Sequence, residues 1–233
     1  MMKRQTAKLF LFLPVLIFTV LSVVVFNRFS DPENPAQFTF VRESSNGVMI
    51  LDATSSSPVG LYQLPVAGRV GHITIHENRL YYADIDKQSI LSMELPTGVL
   101  KERYRVESRP DRFWISKRHH LIYVLSYEAS FISVYSMEQG DLLSQIPVGD
   151  FRGEILFDET HDRLYLALED QSVQVIDTSL LRSEGVVGIN QTVEKLHLDT
   201  ADKKLWLRQH DNQVITVVDL KTGKVIRHYG VEQ

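Results

Sequence analysis

The chain of 233 residues contains no cysteine. That excludes a disulfide scaffold, a thiolate zinc site, an iron–sulfur cluster, a cysteine nucleophile, a lipidated cysteine and a C-x-x-C-H haem attachment. It leaves the compartment open, because exported proteins can do without disulfides. The motifs of common catalytic chemistries are missing as well. There is no G-x-S-x-G for a serine nucleophile, no P-loop and no dinucleotide fingerprint. His76-Glu77 continues as Asn78-Arg79-Leu80, so the second histidine of a zincin helix is absent. Net charge is −4, which gives no electrostatic support to nucleic-acid binding.

Acidic residues are missing from residues 1–28, where Lys3, Arg4, Lys8 and Arg28 carry +4, while the remainder carries −8. Between the basic flanks runs Leu9–Phe26, LFLFLPVLIFTVLSVVVF, with 18 residues and no charge. As a helix it would be roughly 27 Å long, close to the thickness of the hydrocarbon core. A helix of a soluble core would show a polar face, and this one has none. Cleavage as a signal peptide would need small residues at a processing site, and Val20-Leu21-Ser22 is a poor one with VVVF behind it. The expectation is therefore an uncleaved signal anchor over 1–28, spanning 9–26. The excess of positive charge in front places the N-terminus in the cytoplasm and the rest in the periplasm or outside the cell. Residues 29–37, with Pro32 and Pro35, read as a linker.

From residue 38 to 233 the chain repeats. Phe38, Leu80, Ile122, Leu164 and Leu205 are spaced 42, 42, 42 and 41, and open FTFV, LYYA, IYVL, LYLA and LWLR. Asp52, Glu94, Ser136, Asp177 and Asp219, spaced 42, 42, 41 and 42, close VMILD, ILSME, ISVYS, VQVID and ITVVD. Ile75, Ile115, Phe157 and Leu198 mark a further strand ahead of the later LY segments. Gly98, Gly140 and Gly223 each follow the acidic ladder by four residues, where a turn needs positive φ. Helical periodicity is absent, and strands such as VQVID are apolar at nearly every position, as sheets buried on both faces require. Four short strands in ~42 residues are the spacing of a β-propeller blade. The fold expected is all-β: about five four-stranded blades, as a closed five-bladed ring or an open partial propeller. No strand stands ahead of Phe38 to serve as the innermost strand of the first blade, since RFSDPE at 28–33 is polar and broken by proline. That blade is expected to have three strands.

Leu121–Val148 and Lys204–Val231 resemble the YVTN-type, YncE-like β-propeller repeat, through Tyr123-Val124, the V-I-D ending at Asp177, V-V-D at Asp219, Thr222-Gly223-Lys224 and Ile146-Pro147-Val148-Gly149. The proline-aspartate-glycine turn before the second strand is missing; the turns read HENR, SKRHH, DETHDR and DTADKK. The resemblance implies a periplasmic or surface propeller and no particular activity.

Chemistry-bearing side chains follow the period, as polar turns do. His119, His120 and His161 share one turn position with Asn78 and Asp202. Asp84, Asp86, Glu128, Glu169, Asp170 and Asp211 share another, without calcium-loop spacing. His72 and His76 on one strand would lie ~13 Å apart, too far to share a metal. Arg109, Arg112, Phe113, Trp114, Lys117 and Arg118 form the densest basic and aromatic cluster. No catalytic, cofactor or metal residue is assigned. The expected role is a membrane-anchored binding or scaffold module with a protein partner or self-association and no nucleic acid. Two alternatives stand: an enzyme or subunit of a periplasmic redox or lactonase-like complex, which would need His72, Arg112, Arg152 and His197 to converge, and a remnant of a longer propeller.

Overall fold

The computed structural model describes residues 38–42, 46–126, 128–209 and 214–230. The apolar run 9–26, the linker and the proline-broken stretch 28–33 lie outside the described residues.

All described regular structure is β, in five antiparallel sheets taken in chain order. Sheet 1 has three strands, β1 (Phe38–Arg42), β2 (Gly47–Asp52) and β3 (Pro58–Gln63). Sheet 2 has β4 (Val70–His76), β5 (Arg79–Asp84), β6 (Ser89–Glu94) and β7 (Leu100–Arg105). Sheet 3 has β8 (Arg112–Ser116), β9 (Leu121–Leu125), β10 (Phe131–Ser136) and β11 (Leu142–Pro147). Sheet 4 has β12 (Phe151–Asp158), β13 (Arg163–Leu168), β14 (Ser172–Asp177) and β15 (Arg182–Gly188). Sheet 5 has β16 (Val193–Asp199), β17 (Lys204–Gln209), β18 (Ile215–Asp219) and β19 (Lys224–Tyr229). Strand order within each sheet is the chain order, a meander. The four segments read as innermost strands are β4, β8, β12 and β16.

The acidic ladder is a set of turn caps. Asp52 accepts from the amides of Thr54 and Ser55, Asp177 from those of Ser179 and Leu180, and Asp219 from those of Lys221 and Thr222. A carboxylate oxygen two residues before an amide satisfies the turn in this way. The hydroxyl of Ser136 takes the same two amides, of Glu138 and Gln139. The glycine ladder has the expected positive φ, +73° at Gly98, +76° at Gly140 and +65° at Gly223. In sheet 4 the same place holds Leu181 at +53°, a position the glycine spacing had left blank. A Cβ on Gly140 would meet nothing closer than 3.9 Å, so its substitution tests backbone conformation alone. Gly140→Ala is expected to cost about 1 kcal/mol and lower the melting temperature by about 2–4 °C.

One rung of the first ladder is displaced. Phe38 pairs with Asp52 as Arg79 pairs with Glu94 and Arg163 with Asp177, so Phe38 corresponds to Arg79 and not to Leu80. The connection is one residue shorter in sheet 1, where Arg42 pairs with Val48 while Ala83 pairs with Ile90. Side chains alternate along a strand, so a shift of one residue exchanges the two faces. Phe38 and Phe40 consequently point toward sheet 2.

Four hydrophobic clusters fill the spaces between successive sheets. Phe38, Phe40, Val48 and Ile50 meet Leu80, Tyr82, Leu91 and Met93 between sheets 1 and 2. Tyr81, Ile90 and Tyr104 meet Phe113, Ile122 and Val124 between sheets 2 and 3. Tyr123, Ile132 and Ile146 meet Leu164, Leu166 and Ile176 between sheets 3 and 4. Tyr165, Ala167 and Val173 meet Leu196, Leu205, Leu207 and Val218 between sheets 4 and 5. Among the described residues no cluster joins sheet 5 to sheet 1. Among the described residues the sheets form an open arc, which corrects the expectation of a closed five-bladed ring.

Candidate functional site

Each sheet has a front face, turned toward the following sheet, and a back face, turned toward the preceding one. Corrected for the displaced rung, the front faces carry an aromatic ladder: Phe40, Tyr81, Tyr123, Tyr165 and Trp206, spaced 41, 42, 42 and 41. The first four are covered by the next sheet and are 9%, 1%, 0% and 3% exposed. Tyr123 also donates its hydroxyl proton to the carbonyl of Thr178 on sheet 4 at 2.8 Å. Burial pushes the Tyr165 phenol up to about 12 and that of Tyr123 higher still, so both stay protonated.

A second front rung runs along the outer strands as Tyr62, Tyr104, Ile146, Val187 and Tyr229. Two of its members fasten the next sheet. The Tyr62 hydroxyl donates to the carbonyl of Pro96, and the Tyr104 hydroxyl to that of Met137 at 3.3 Å.

Both rungs end on sheet 5 without a described sheet to meet. Trp206 is half-buried and lies nearly parallel to Tyr229, with ring centroids 5.9 Å apart and planes 11° apart. Tyr229 is 41% exposed. The Arg227 guanidinium sits 5.5 Å from the Tyr229 ring centre and donates to its hydroxyl at 3.0 Å. Val217, paired with Trp206 on one side and Arg227 on the other, is only 2% exposed. His197 pairs with Trp206 and is exposed on the same face. At the other end of the arc, the back face of sheet 1 presents Thr39, Val41, Met49 and Leu51, all partly exposed, and Leu61 at 61%. Their counterparts on sheet 2, Leu80, Tyr82, Leu91 and Met93, are at most 3% exposed.

An enzyme would need four residues to converge, and the described side chains lie on different sheets. His72 and Arg112 are neighbours on the inner strands of sheets 2 and 3. His197 lies on the front of sheet 5, and the side chain of Arg152 is outside the described set. The His72 ring meets Phe113 edge-on at 5.0 Å and Trp114 at 6.4 Å, and its buried Nδ1 has no hydrogen-bond partner among the described residues. Burial, with the charge of Arg112 beside it, lowers its pKa from 6.5 to about 4. The unfolded chain therefore takes up this proton as pH falls through 6.5, and the folded chain only near 4. Stability present above pH 6.5 is lost across that interval, by about 3 kcal/mol for this group. Urea midpoints at pH 7 and 4.5 should differ less in His72→Phe than in the parent.

The turn histidines are tied locally. His119 Nε2 lies 2.7 Å from Asp162 Oδ1, and His161 Nδ1 lies 2.8 Å from Asp158 Oδ2. A cleft between sheets 2 and 3 is lined by His76, Arg79, Glu102, Lys117 and His120 among others. Its charges largely neutralise one another. Arg79 Nη1 is 2.6 Å from Glu102 Oε1, and Ser92 donates to the same carboxylate. Of the basic cluster, Arg109 pairs with Glu128 at 3.0 Å and Arg118 with Asp162 at 3.2 Å. Among the described residues no group of three or more histidines or carboxylates is placed to hold a metal.

The residues that stand out, Trp206 and Tyr229, were not singled out from sequence. The pattern was present, as the aromatic second position of LYYA, IYVL, LYLA and LWLR, but its meaning depends on which face it occupies.

No protein-family model matches the chain, and no curated protein matches it in sequence. Solved structures do share its fold. Hydrazine synthase of Kuenenia stuttgartiensis is 18% identical with a TM-score of 0.59, over 69% of this chain and 48% of that one. The dihydro-heme d1 dehydrogenase NirN, in complex with DHE, is 16% identical with a TM-score of 0.66, over 84% of this chain and 46% of that one. The chain thus spans about half the length of these structures. Identity this low shows the fold alone, which is β-propeller-like.

Proposed function

We propose that the chain is an extracytoplasmic binding module of YVTN-type propeller repeats, held at the membrane by residues 9–26, that engages a protein partner through the open end of its arc. The observation that carries this reading is the front face of sheet 5. Trp206 and Tyr229 occupy the two rungs that fasten every other sheet to its neighbour, and they remain partly exposed. Exposed aromatic and apolar groups beside cations such as Arg227 are the composition of an interaction surface. The membrane run and its flanking charges supply the anchoring and the orientation.

The test is a photoreactive amino acid in place of Trp206 in the full chain, irradiated in intact membranes. A discrete cross-linked species is expected. It should be missing when the same group replaces Leu143, an exposed apolar residue on sheet 3. Equal labelling from both positions, or none from either, would refute the reading.

A further inference from the structure

We infer that the occupant of the sheet 5 front face is sheet 1 of a second copy of this chain. The inference rests on the proposed binding role of that face and names the partner.

The argument is continuity. Inside the chain, a front face meets a back face four times in succession. Among the described residues one front, on sheet 5, and one back, on sheet 1, remain unmet. Both carry aromatic or apolar groups on the rungs that are mated elsewhere, although Arg208 of sheet 5 stands where sheets 2, 3 and 4 have Ala83, Leu125 and Ala167. The sheet 5 front supplies Trp206, Val217 and Tyr229 where sheet 2 supplies Tyr81 and Tyr104. The sheet 1 back supplies Val41, Met49 and Leu51, uncharged like Tyr82, Leu91 and Met93, which sheet 1 itself covers. Joining them repeats an arrangement the chain already makes. Each copy would then offer one front and one back, a heterologous contact that adds copies head to tail.

The internal contacts also fix where the new one falls. Tyr62 reaches the carbonyl of Pro96 and Tyr104 that of Met137, both just past the second-to-last strand of the following sheet. The corresponding place on sheet 1 is Ala53–Thr54, immediately after β2. Tyr229 of one copy should lie against Thr54 of the next, and Thr54 is exposed for it.

The absence of native cysteine makes the test clean. Tyr229→Cys and Thr54→Cys are placed on separate full-length chains, mixed in detergent micelles and oxidised. A disulfide heterodimer is expected from the mixture, with little product from either variant alone. Introducing Trp206→Glu into the Tyr229→Cys chain should reduce the heterodimer at least tenfold. Among the described residues no sheet covers Trp206, so this variant should still melt cooperatively, within a few degrees of the parent. A chain carrying both cysteines reports the competing arrangement. Cross-linking confined within that double variant, with none between copies, would mean that the arc closes on itself and would overturn the inference. No disulfide in any sample would overturn it as well, while a photo-cross-link from position 206 to a different protein would leave the binding role standing.

Discussion

Tyr123→Ala should cost about 4 kcal/mol, while Trp206→Ala, on the same rung of the same ladder, should cost about 1 kcal/mol. Tyr123 is fully buried between sheets 3 and 4 and bonds the Thr178 carbonyl across that interface. Its removal leaves a cavity and an unsatisfied buried carbonyl, and both terms add. Trp206 covers Val217 and stacks on Tyr229 but has no sheet in front of it among the described residues. Its loss forfeits only contacts within its own sheet. Urea unfolding of both variants at low protein concentration, where copies are apart, measures the difference. Equal costs would mean that sheet 5 is covered within the single chain.

Gly153→Val is the second large effect. Gly153 lies in the irregular stretch of β12, where the register with β13 slips between Phe151 and Ile155. A Cβ there would stand 2.7 Å from the carbonyl oxygen of Ala167 and 2.9 Å from its Cβ. Backbone cannot yield as the end of a flexible side chain does, so the innermost strand of sheet 4 must move off its neighbour. A loss of about 3 kcal/mol is expected, read as a lowered urea midpoint. Gly188→Val, where a Cβ meets nothing within 4 Å, is the control and should change little.

Much of this fold is legible in the sequence because period and register are local properties. Asp52, Glu94, Ser136, Asp177 and Asp219 announce the end of one strand per repeat because the turn after it needs an acceptor or a tight backbone. Ile75, Ile115, Phe157 and Leu198 announce the inner strands β4, β8, β12 and β16. The misplacement of Phe38 has a physical cause. A connection shortened by one residue shifts the spacing only from 42 to 41, yet it moves every side chain of β1 to the other face. Face assignment depends on cross-strand pairing, which no spacing reports. Ring or arc was illegible for a related reason, because closure depends on the angle between packed sheets and not on their number. That His72 and Arg112 are neighbours follows from the packing of sheet 3 on sheet 2, which spacing does not report. The β-strand register puts His197 opposite Trp206 on the front face of sheet 5.

An arc with two ends is energetically a line. Among the described residues sheets 2, 3 and 4 are each held by two interfaces, whereas sheets 1 and 5 are held by one, and sheet 1 has a strand fewer. Stability in such an array is the sum of unit and nearest-neighbour terms, so opening begins at the ends and works inward. Amide exchange should be slowest in β9 and β13, near the middle, and fastest in β1–β3. Attachment of a further sheet at either end would slow exchange at that end first, so the order of fraying itself reports which end is occupied.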